Sequence, residues 1–439
     1  MPDVLLLYPV TLDLFRPREA ERMRQLRRIG YRFLLGSEEA PASDAELWAD
    51  FLALPPREQV AESWEALRRH LDRRPVDSVL TQTEAALPVA ALAARHLGLP
   101  GLSVEAAFGC LSKLETRRRL AAAGVGQPRF ELVDDASGVR RFARRHDYPV
   151  VVKAVASALS RLVTKVAGEA EVDEAMARFQ ALLPGSEDVL RLLEFASLAG
   201  LDLGCDPRRQ FLVESFAVGD PLEVDGLVVG RDPWLLGVIE QVLTVDPPFF
   251  MDGYLLPADR PEPELAAIEG FVAAAVSAVR LENAGFSVEL RARGSDLAVI
   301  EVNGRLGWDQ GLGDLFARLL GVQPSLLAVL AALGRPVRRR PRRGAAAVAY
   351  RSSFVEGRVA RVPGPAELAV LEAPDLAVEV DVRPGEATHA PPHPDTCPHL
   401  GHALALHPTS SRVAYARARE AAKRLRFEIE PVSRPAVML

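Results

Sequence analysis

The apolar positions of this chain fall into short runs and helical stripes that take turns along it. Val4–Tyr8 is a continuous apolar run, the pattern of a parallel strand buried on both faces. Arg18–Ile29 carries Met23, Leu26 and Ile29 at helical spacing and meets Gly30, and Tyr31–Leu35 reads as the next strand. Val76–Thr81 is a third strand, and Pro88–Leu97 a helix stopped by Gly98. This βαβ…βα order predicts a small Rossmann-like domain. It holds no GxGxxG, so no dinucleotide is assigned to it.

Beyond Leu111 the two periods mix. Helices are expected at Leu111–Ala123 (ended by Gly124), Glu171–Leu182 and Leu265–Val279, with a helical region over Leu312–Leu333. Strands are expected at Tyr148–Ala154, Val163–Ala167, Phe211–Phe216 and Leu222–Val229. Phe286–Arg291 and Leu297–Val302 form a hairpin across Arg293–Asp296. After an Arg- and Pro-rich segment, Arg335–Arg343, two β-like stretches (Ala346–Ser352 and Ala377–Val382) and a helix near Arg412–Leu425 predict a small C-terminal α+β domain. The expected division is 1–110, 111–335 and 336–439.

Composition narrows the function more than the fold. A chain of 439 residues is too long for one compact domain. Its net charge of −6 makes nucleic acid a poor partner, since phosphate backbones call for a positive field. Arg335, Arg338, Arg339, Arg340, Arg342 and Arg343 read as a nucleic-acid patch or as a solvated linker, and the acidic whole favours the linker. The 3 cysteines, Cys110, Cys205 and Cys397, are far apart and form no CxxC, so a disulfide framework is not expected and a cytoplasmic location is. No segment has the length and apolarity of a membrane span, and the N-terminal apolar run has no basic stretch before it.

The chemistry concentrates in two short segments, Ser287-Val-Glu289-Leu and Val299-Ile-Glu301-Val-Asn303-Gly-Arg305. Side chains two apart in a strand share a face, so Glu301 and Asn303 point together and Glu289 joins them from the neighbouring strand. Two carboxylates and an amide oxygen are hard ligands suited to Mg²⁺ on nucleotide phosphates. The same three are equally the wet face of an exposed hairpin whose other face is Val288, Leu290, Ile300 and Val302. Arg305, just past the strand, is placed to stabilise negative charge on a phosphoryl group or tetrahedral intermediate. Lys153 ends an apolar strand and precedes a Ser-containing loop, which suits a phosphate contact or a plain surface lysine. The stretch Glu214-Ser215-Phe216-Ala217 leads from a strand into an extended hinge able to offer N–H and C=O groups to a base edge, with Glu223 nearby for ribose hydroxyls.

These pieces come in a telling order: Lys113, then Lys153, Val213-Glu214, Glu223-Val-Asp-Gly, Ser-Val-Glu289 and Ile-Glu301-Val-Asn303-Gly-Arg305. The order resembles the ATP-grasp superfamily, and within it the carboxylate–amine (L-amino acid) ligases. Val76–Thr81 with Glu84 and Leu97-Gly-Leu-Pro also looks like their pre-grasp domain. The resemblance implies an α/β chain with a Rossmann-like pre-grasp domain, a two-lobed ATP-grasp domain and a small C-terminal domain. It implies ATP phosphates on Lys113 and Lys153, adenine on the hinge Glu214, Ser215, Phe216 and Ala217, and ribose on Glu223. It further implies Mg²⁺ (or Mn²⁺) on Glu289, Glu301 and Asn303, with Arg305 catalytic. The implied reaction is ADP-forming: a carboxylate becomes an acyl-phosphate and an amine captures it. Small-molecule acid and amine are then the partners, with a homodimer left open. Two departures stand out. The loop Ala156–Leu162 has no glycine where the family's phosphate loop is glycine-rich, which implies a stiffer or altered lid, and Trp308 stands where many members have glycine.

Other readings were open. A biotin-carboxylase-like or purine-type enzyme is one, although no Met-Lys-Met segment is present; a non-catalytic nucleotide-binding protein is another. His389, His393, His399, His402 and His407, with Cys397 among them, read as a metal site or, given Pro391, Pro392, Pro394 and Pro398, as a solvated loop. Asp246–Tyr254 reads as a substrate-covering loop or a buried Ω-loop. His96 and His146 read as surface residues. No GxSxG elbow points to a hydrolase.

Overall fold

The computed structural model describes residues 1–8, 24, 27–28, 30–40, 45–158, 161–247, 250–307, 309–337, 344–390 and 398–431. The expected helix Arg18–Ile29 falls mostly outside these residues, as do Ser160, Trp308, the arginines from Arg338 to Arg343, His393 and Cys397.

The N-terminal part is a parallel sheet of β1 (Asp3–Leu7), β2 (Arg32–Ser37), β3 (Trp48–Ala53) and β4 (Ser78–Thr81), in the order β3-β2-β1-β4. Strand β3 was not foreseen. It is an edge strand, mostly half-buried, and so shows neither the continuous apolar run nor a clean alternation. Helices α1 (Val60–Leu71) and α2 (Leu87–Leu97) pack beside the sheet, and Gly98 ends α2 at φ 64°, in the left-handed region that glycine tolerates.

The chain then turns at α3 (Val104–Leu111) and α4 (Lys113–Ala122). One helix from Leu111 was expected. Ser112 divides it, closing α3 with extended backbone and capping α4 by accepting the Glu115 N–H at 3.3 Å. The break sets Lys113 at the first position of α4, where its own N–H bonds Val155 O at 2.8 Å.

A second sheet holds β5 (Phe130–Val133), β6 (Val150–Ala154), β7 (Val163–Val166) and β8 (Phe211–Ser215), all antiparallel, in the order β5-β8-β6-β7. Helices α5 (Ala136–His146), α6 (Val172–Leu182) and α7 (Glu187–Ala199) accompany it, and Phe142, Phe179, Val152 and Val213 make its core. Helix α7, unpredicted, is amphipathic, with Val189, Leu192, Phe195 and Ala196 buried.

The largest sheet is antiparallel and runs β13-β12-β9-β10-β11-β14-β18-β16. Its strands begin with β9 (Asp220–Val229), β10 (Asp232–Leu243), β11 (Met251–Leu256), β12 (Ala284–Arg293) and β13 (Asp296–Asn303). The segment Asp246–Tyr254 is strand from Met251 onward, Thr244 N–H donates to Phe250 O before it, and residues 248–249 lie outside the described residues. Helix α8 (Glu262–Ala278) covers the apolar face, where Leu265, Ile268 and Val272 cluster with Val224, Val288 and Val302. Helices α9 (Leu312–Leu320) and α10 (Pro324–Ala332) follow; with an 88° bend between them, and among the described residues, no single helix is long and apolar enough to cross a membrane.

The C-terminal strands β14 (Ala345–Ser352), β16 (Leu376–Val380) and β18 (His399–His407) extend this same sheet through the pairing of β14 with β11. Strands β15 (Gly357–Arg361), β17 (Ala387–Thr388) and β19 (Glu428–Pro431) make a small separate sheet, with the short helix α11 (Pro365–Ala369) beside them in sequence and α12 (Ser411–Arg424) packed on β14 and β18. The histidine-rich stretch is therefore not a solvated loop from His399 on, while His389 lies outside any strand or helix and is half-buried. From His399 it is a strand between two others, its small Gly401, Ala403 and Ala405 buried.

Candidate active site

Hydrogen-bond register builds the site. Glu289 on β12 stands opposite Glu223 on β9 and Glu301 on β13, so three carboxylates form one row across three strands. Two residues along, Asp225, Ser287 and Asn303 form the next row on the same face. This face is not the wet side of a hairpin: Glu223 is 4% exposed and Asn303 6%.

Gathering like charges away from water raises their proton affinity. Burial, with the charges of Glu301 and Glu223 beside it, pushes Glu289 up to about 8. Burial and Asp225 push Glu223 to about 8, although Ser287 Oγ (2.8 Å) and Gln241 Nε2 (2.9 Å) each donate to it. Burial lifts Asp225 to about 7 against the pull of the Gly307 N–H, which donates to Oδ1 at 2.5 Å. Glu289 has no hydrogen-bond or ion-pair partner among the described residues.

Cations close the row from the other side. Lys113 at the start of α4 pairs with Glu301. Burial works against the lysine charge, but Glu301 and Glu84 outweigh it and hold Lys113 above its ordinary value. Glu301 itself, despite burial, is held below the usual carboxylate range by Lys113. Arg305 reaches Glu84 at 3.6 Å and donates to Leu306 O at 3.0 Å.

The second lysine sits in a triad. Lys153 Nζ lies 2.7 Å from Glu214 Oε2, and Arg117 takes the same carboxylate with Nε (2.7 Å) and Nη2 (3.1 Å). One carboxylate between two cations leaves a net positive charge in a buried place. Burial and the neighbouring Arg117 lower Lys153 to about 8, while Arg117 and Lys153 overcome burial and bring Glu214 down to about 2. Arg117, 1% exposed, also donates to Val299 O (3.0 Å) and Ile300 O (2.7 Å). Those carbonyls turn outward because Ile300 is the extra residue of a β-bulge between the Glu289–Glu301 and Leu290–Val299 pairs. Arg117 thus ties the sheet bearing Lys153 to the strand bearing Glu301.

The hinge lies at the end of β8. Glu214 backbone is in the ladder and its side chain in the triad; Ser215 exchanges bonds with Arg129, its N–H to Arg129 O and its Oγ from Arg129 N–H. Phe216 and Ala217 are half-buried and make no backbone hydrogen bond among the described residues, and Lys165 Nζ sits 4.6 Å from the Phe216 ring centre. Across the site, the glycine-free loop is tied to α7: Ala158 N–H donates to Asp188 Oδ2 at 3.1 Å, and Arg161 reaches the same oxygen at 3.3 Å.

The structure therefore brings Lys113, Glu289, Glu301, Asn303 and Arg305 together, and ties Lys153 to them through Glu214 and Arg117. Glu223 stands in the acidic row, nine residues along the chain from Glu214, with both oxygens occupied. Sequence reasoning missed Arg117, one of three consecutive arginines, and the partners Gln241, Asp309 and Tyr254. The signal available for Arg117 was its place one helical turn after Lys113, which puts both on one face of α4. Among the described residues no three His, Cys, Asp or Glu side chains gather as a metal cluster. The described histidines are otherwise engaged: His389 with Glu356, His402 with Asp381, and His399 stacked on Tyr350.

A family model described as ATP-grasp domain matches residues 146–311, and one described as ATP-grasp N-terminal domain matches residues 23–101. The chain belongs to the ATP-grasp superfamily and has its mixed α/β fold. Among solved structures it is similar to an L-amino acid ligase from Bacillus licheniformis, with TM-score 0.81 and 22% identity over 98% of this chain and 99% of that one. It is also similar to phosphoribosylglycinamide synthetase from Anaerococcus prevotii (TM-score 0.69, 14% identity, 98% and 100% covered) and to a biotin carboxylase–ATP-analogue complex from Campylobacter jejuni (0.68, 16%, 98% and 92%). No curated protein matches it.

Proposed function

We propose that this protein is an ADP-forming ligase that activates a carboxylate with ATP and couples it to an amine, giving an amide or dipeptide. The observation that carries the reading is the in-register row Glu223–Glu289–Glu301 facing Lys113, with Lys153 tied to the same strand through Arg117. The likeness to an L-amino acid ligase over nearly the whole chain supports the acid-plus-amine form of the reaction.

The donor set fits a divalent ion. Glu289, Glu301 and Asn303 offer hard oxygens from adjacent strand positions, and Glu289, pushed up to about 8, has no cation paired with it among the described residues. Glu289, Glu301 and Asn303 would hold Mg²⁺ or Mn²⁺, which would supply positive charge to draw nucleotide phosphates to this face. The chain's own groups do the rest. Lys153 brings the triad's surplus positive charge to the phosphates, and Lys113 adds a second cation beside Glu301. The free N–H and C=O groups of Phe216 and Ala217 suit the edge of adenine, with Ser215 and Glu214 fixing the strand that delivers them. Glu223, expected at the ribose, serves in this reading as a support of the acidic row. Arg305 steadies the negative charge that develops as the substrate carboxylate attacks the γ-phosphorus and, later, as the amine attacks the acyl-phosphate. Held positions and fixed charges supply most of the acceleration in such a reaction.

The test is a screen of acid and amine pairs with ATP and Mg²⁺, reading ADP and the mass of the condensed product. A pair yielding ADP and amide in equal amounts supports the reading. Tight ATP binding with no ADP from any pair would favour a nucleotide-binding protein instead.

A further inference from the structure

The loop between β6 and β7 closes on a carboxylate of the chain's own. Asp188, at the second position of α7 and 7% exposed, accepts the Ala158 N–H at Oδ2 (3.1 Å). Arg161 Nη2 lies 3.3 Å from the same oxygen, and Arg191 Nη1 donates to Oδ1 at 2.7 Å. A loop N–H and two guanidinium groups around one pair of oxygens is a donor set that fits a phosphate as well as a carboxylate. Two cations against one anion leave a surplus of positive charge. Two donors on these groups are also unused: Arg191 Nε and Ser157 Oγ are buried with no hydrogen-bond partner among the described residues, and each residue is 5% exposed. Native structures rarely keep buried donors unpaired without a use.

This corner borders the lysines of the pocket. Val155 O, just before the loop, accepts the N–H of Lys113 at 2.8 Å. Against burial, Glu301, Glu84 and then Asp188 hold Lys113 above its ordinary value, so the Asp188 carboxylate lies within charge reach of that lysine. The loop is also held against its own preference. Leu162, next to Arg161, stands at φ 48°, in the left-handed region that a side chain disfavours. Such a backbone persists only where its surroundings fix it, and the grip of Asp188 on Ala158 and Arg161 is part of that fixing.

We infer that Asp188 competes with a nucleotide phosphate for the Ala158 N–H and Arg161, so that carboxylate and phosphate are alternative occupants of one anion place. The inference rests on the ATP-binding part of the reading above. Arg191, buried beside Asp188, keeps the carboxylate in this place through its own bond to Oδ1. The contact that fixes the loop is then one that ATP works against, and nucleotide affinity is set below what the cations alone give. A plain structural tie between loop and helix predicts the reverse, because loosening it scatters the donors and weakens binding.

The test is calorimetry of the full chain with Mg²⁺ and a non-hydrolysable ATP analogue, on wild type, Asp188→Asn, Arg161→Gln and the double variant. Asp188→Asn keeps the size and an oxygen for the Ala158 N–H but removes the charge that engages Arg161. The analogue should bind it about three- to tenfold more tightly than wild type. Its melting temperature should nevertheless fall, because Arg191 is left buried without its anion. Arg161→Gln, at a partly exposed side chain, should bind the analogue about tenfold less tightly than wild type. In the double variant the gain from Asp188→Asn should shrink to within about twofold, because the released donor is gone. An Asp188→Asn protein that binds no better than wild type overturns the inference. So does a gain of equal size with and without Arg161, which marks a diffuse effect of charge. If Asp188→Asn does not fold, Arg161→Gln decides alone: weaker binding supports the inference and wild-type affinity overturns it. No binding by any of these proteins overturns the ATP reading and this contact together, whereas binding in the wrong order overturns the contact alone.

Discussion

Arg117 holds Glu214 by two hydrogen bonds, Nε to Oε1 at 2.7 Å and Nη2 to Oε2 at 3.1 Å, and both side chains are nearly sealed from water. The pair is 97 residues apart in sequence and joins the sheet that carries Lys153 to the sheet that carries Glu301.

Breaking that pair should cost stability. Glu214→Gln leaves Arg117 and Lys153 buried without their carboxylate, a loss of roughly 3–5 kcal/mol. Guanidinium unfolding should show it as a lower midpoint at unchanged slope. The pH profile gives an independent reading. Because Glu214 titrates in the folded chain near 2, below its ordinary 4.5, its contribution is complete above 4.5 and drains away as pH falls toward 2. The melting temperature of the wild type should drop through this window, and Glu214→Gln should lack that part of the drop. A variant as stable as wild type would mean that the triad contributes nothing net.

Removing one carboxylate of the row should weaken metal binding. Glu289→Gln keeps the shape but cannot give up a proton to become a charged ligand, and Mn²⁺ affinity measured by electron paramagnetic resonance in the presence of ATP should fall about 10–100-fold. Asp232→Asn, on the exposed start of β10, should change nothing. Equal affinity in both variants would remove the metal from this row.

Nucleotide affinity should depend on pH through Lys153. Burial beside Arg117 has lowered it to about 8, so below that pH the ammonium is present and above it the charge is lost. ATP binding, by calorimetry or fluorescence titration, should weaken as pH rises through 8, by at most about tenfold per unit. Lys153→Arg, which keeps its charge, should flatten the profile. A wild-type curve flat from 7 to about 9.5 would show that the lysine does not meet the phosphates.

Much of this was visible in the residues themselves. The pattern of period two marked Glu301 and Asn303 as neighbours on one face, and the hairpin turn at Gly294–Ser295 brought Glu289 beside them as expected. The strand ending at Lys153, the Gly98 and Gly124 stops and helix α8 were equally plain, because each is a local preference written over a few residues. Strand β10 escaped notice, since Pro233 and the bulge at Leu236 interrupt its alternation. Strand β18 looked like a loop because its prolines lie just before it and its histidines are polar until Asp381 and Tyr350 receive them.

What the chain could determine alone was which side chains share a strand face or a helical turn, since backbone geometry repeats every two or 3.6 residues whatever lies around it. Which charge neutralises which was decided only by the tertiary structure. Lys113 meets Glu301 across 188 residues and Asp225 meets the Gly307 N–H across 82, contacts that no local pattern encodes. An ion buried in a low-dielectric place needs its partner within a few ångströms, and only the packed sheets set that distance.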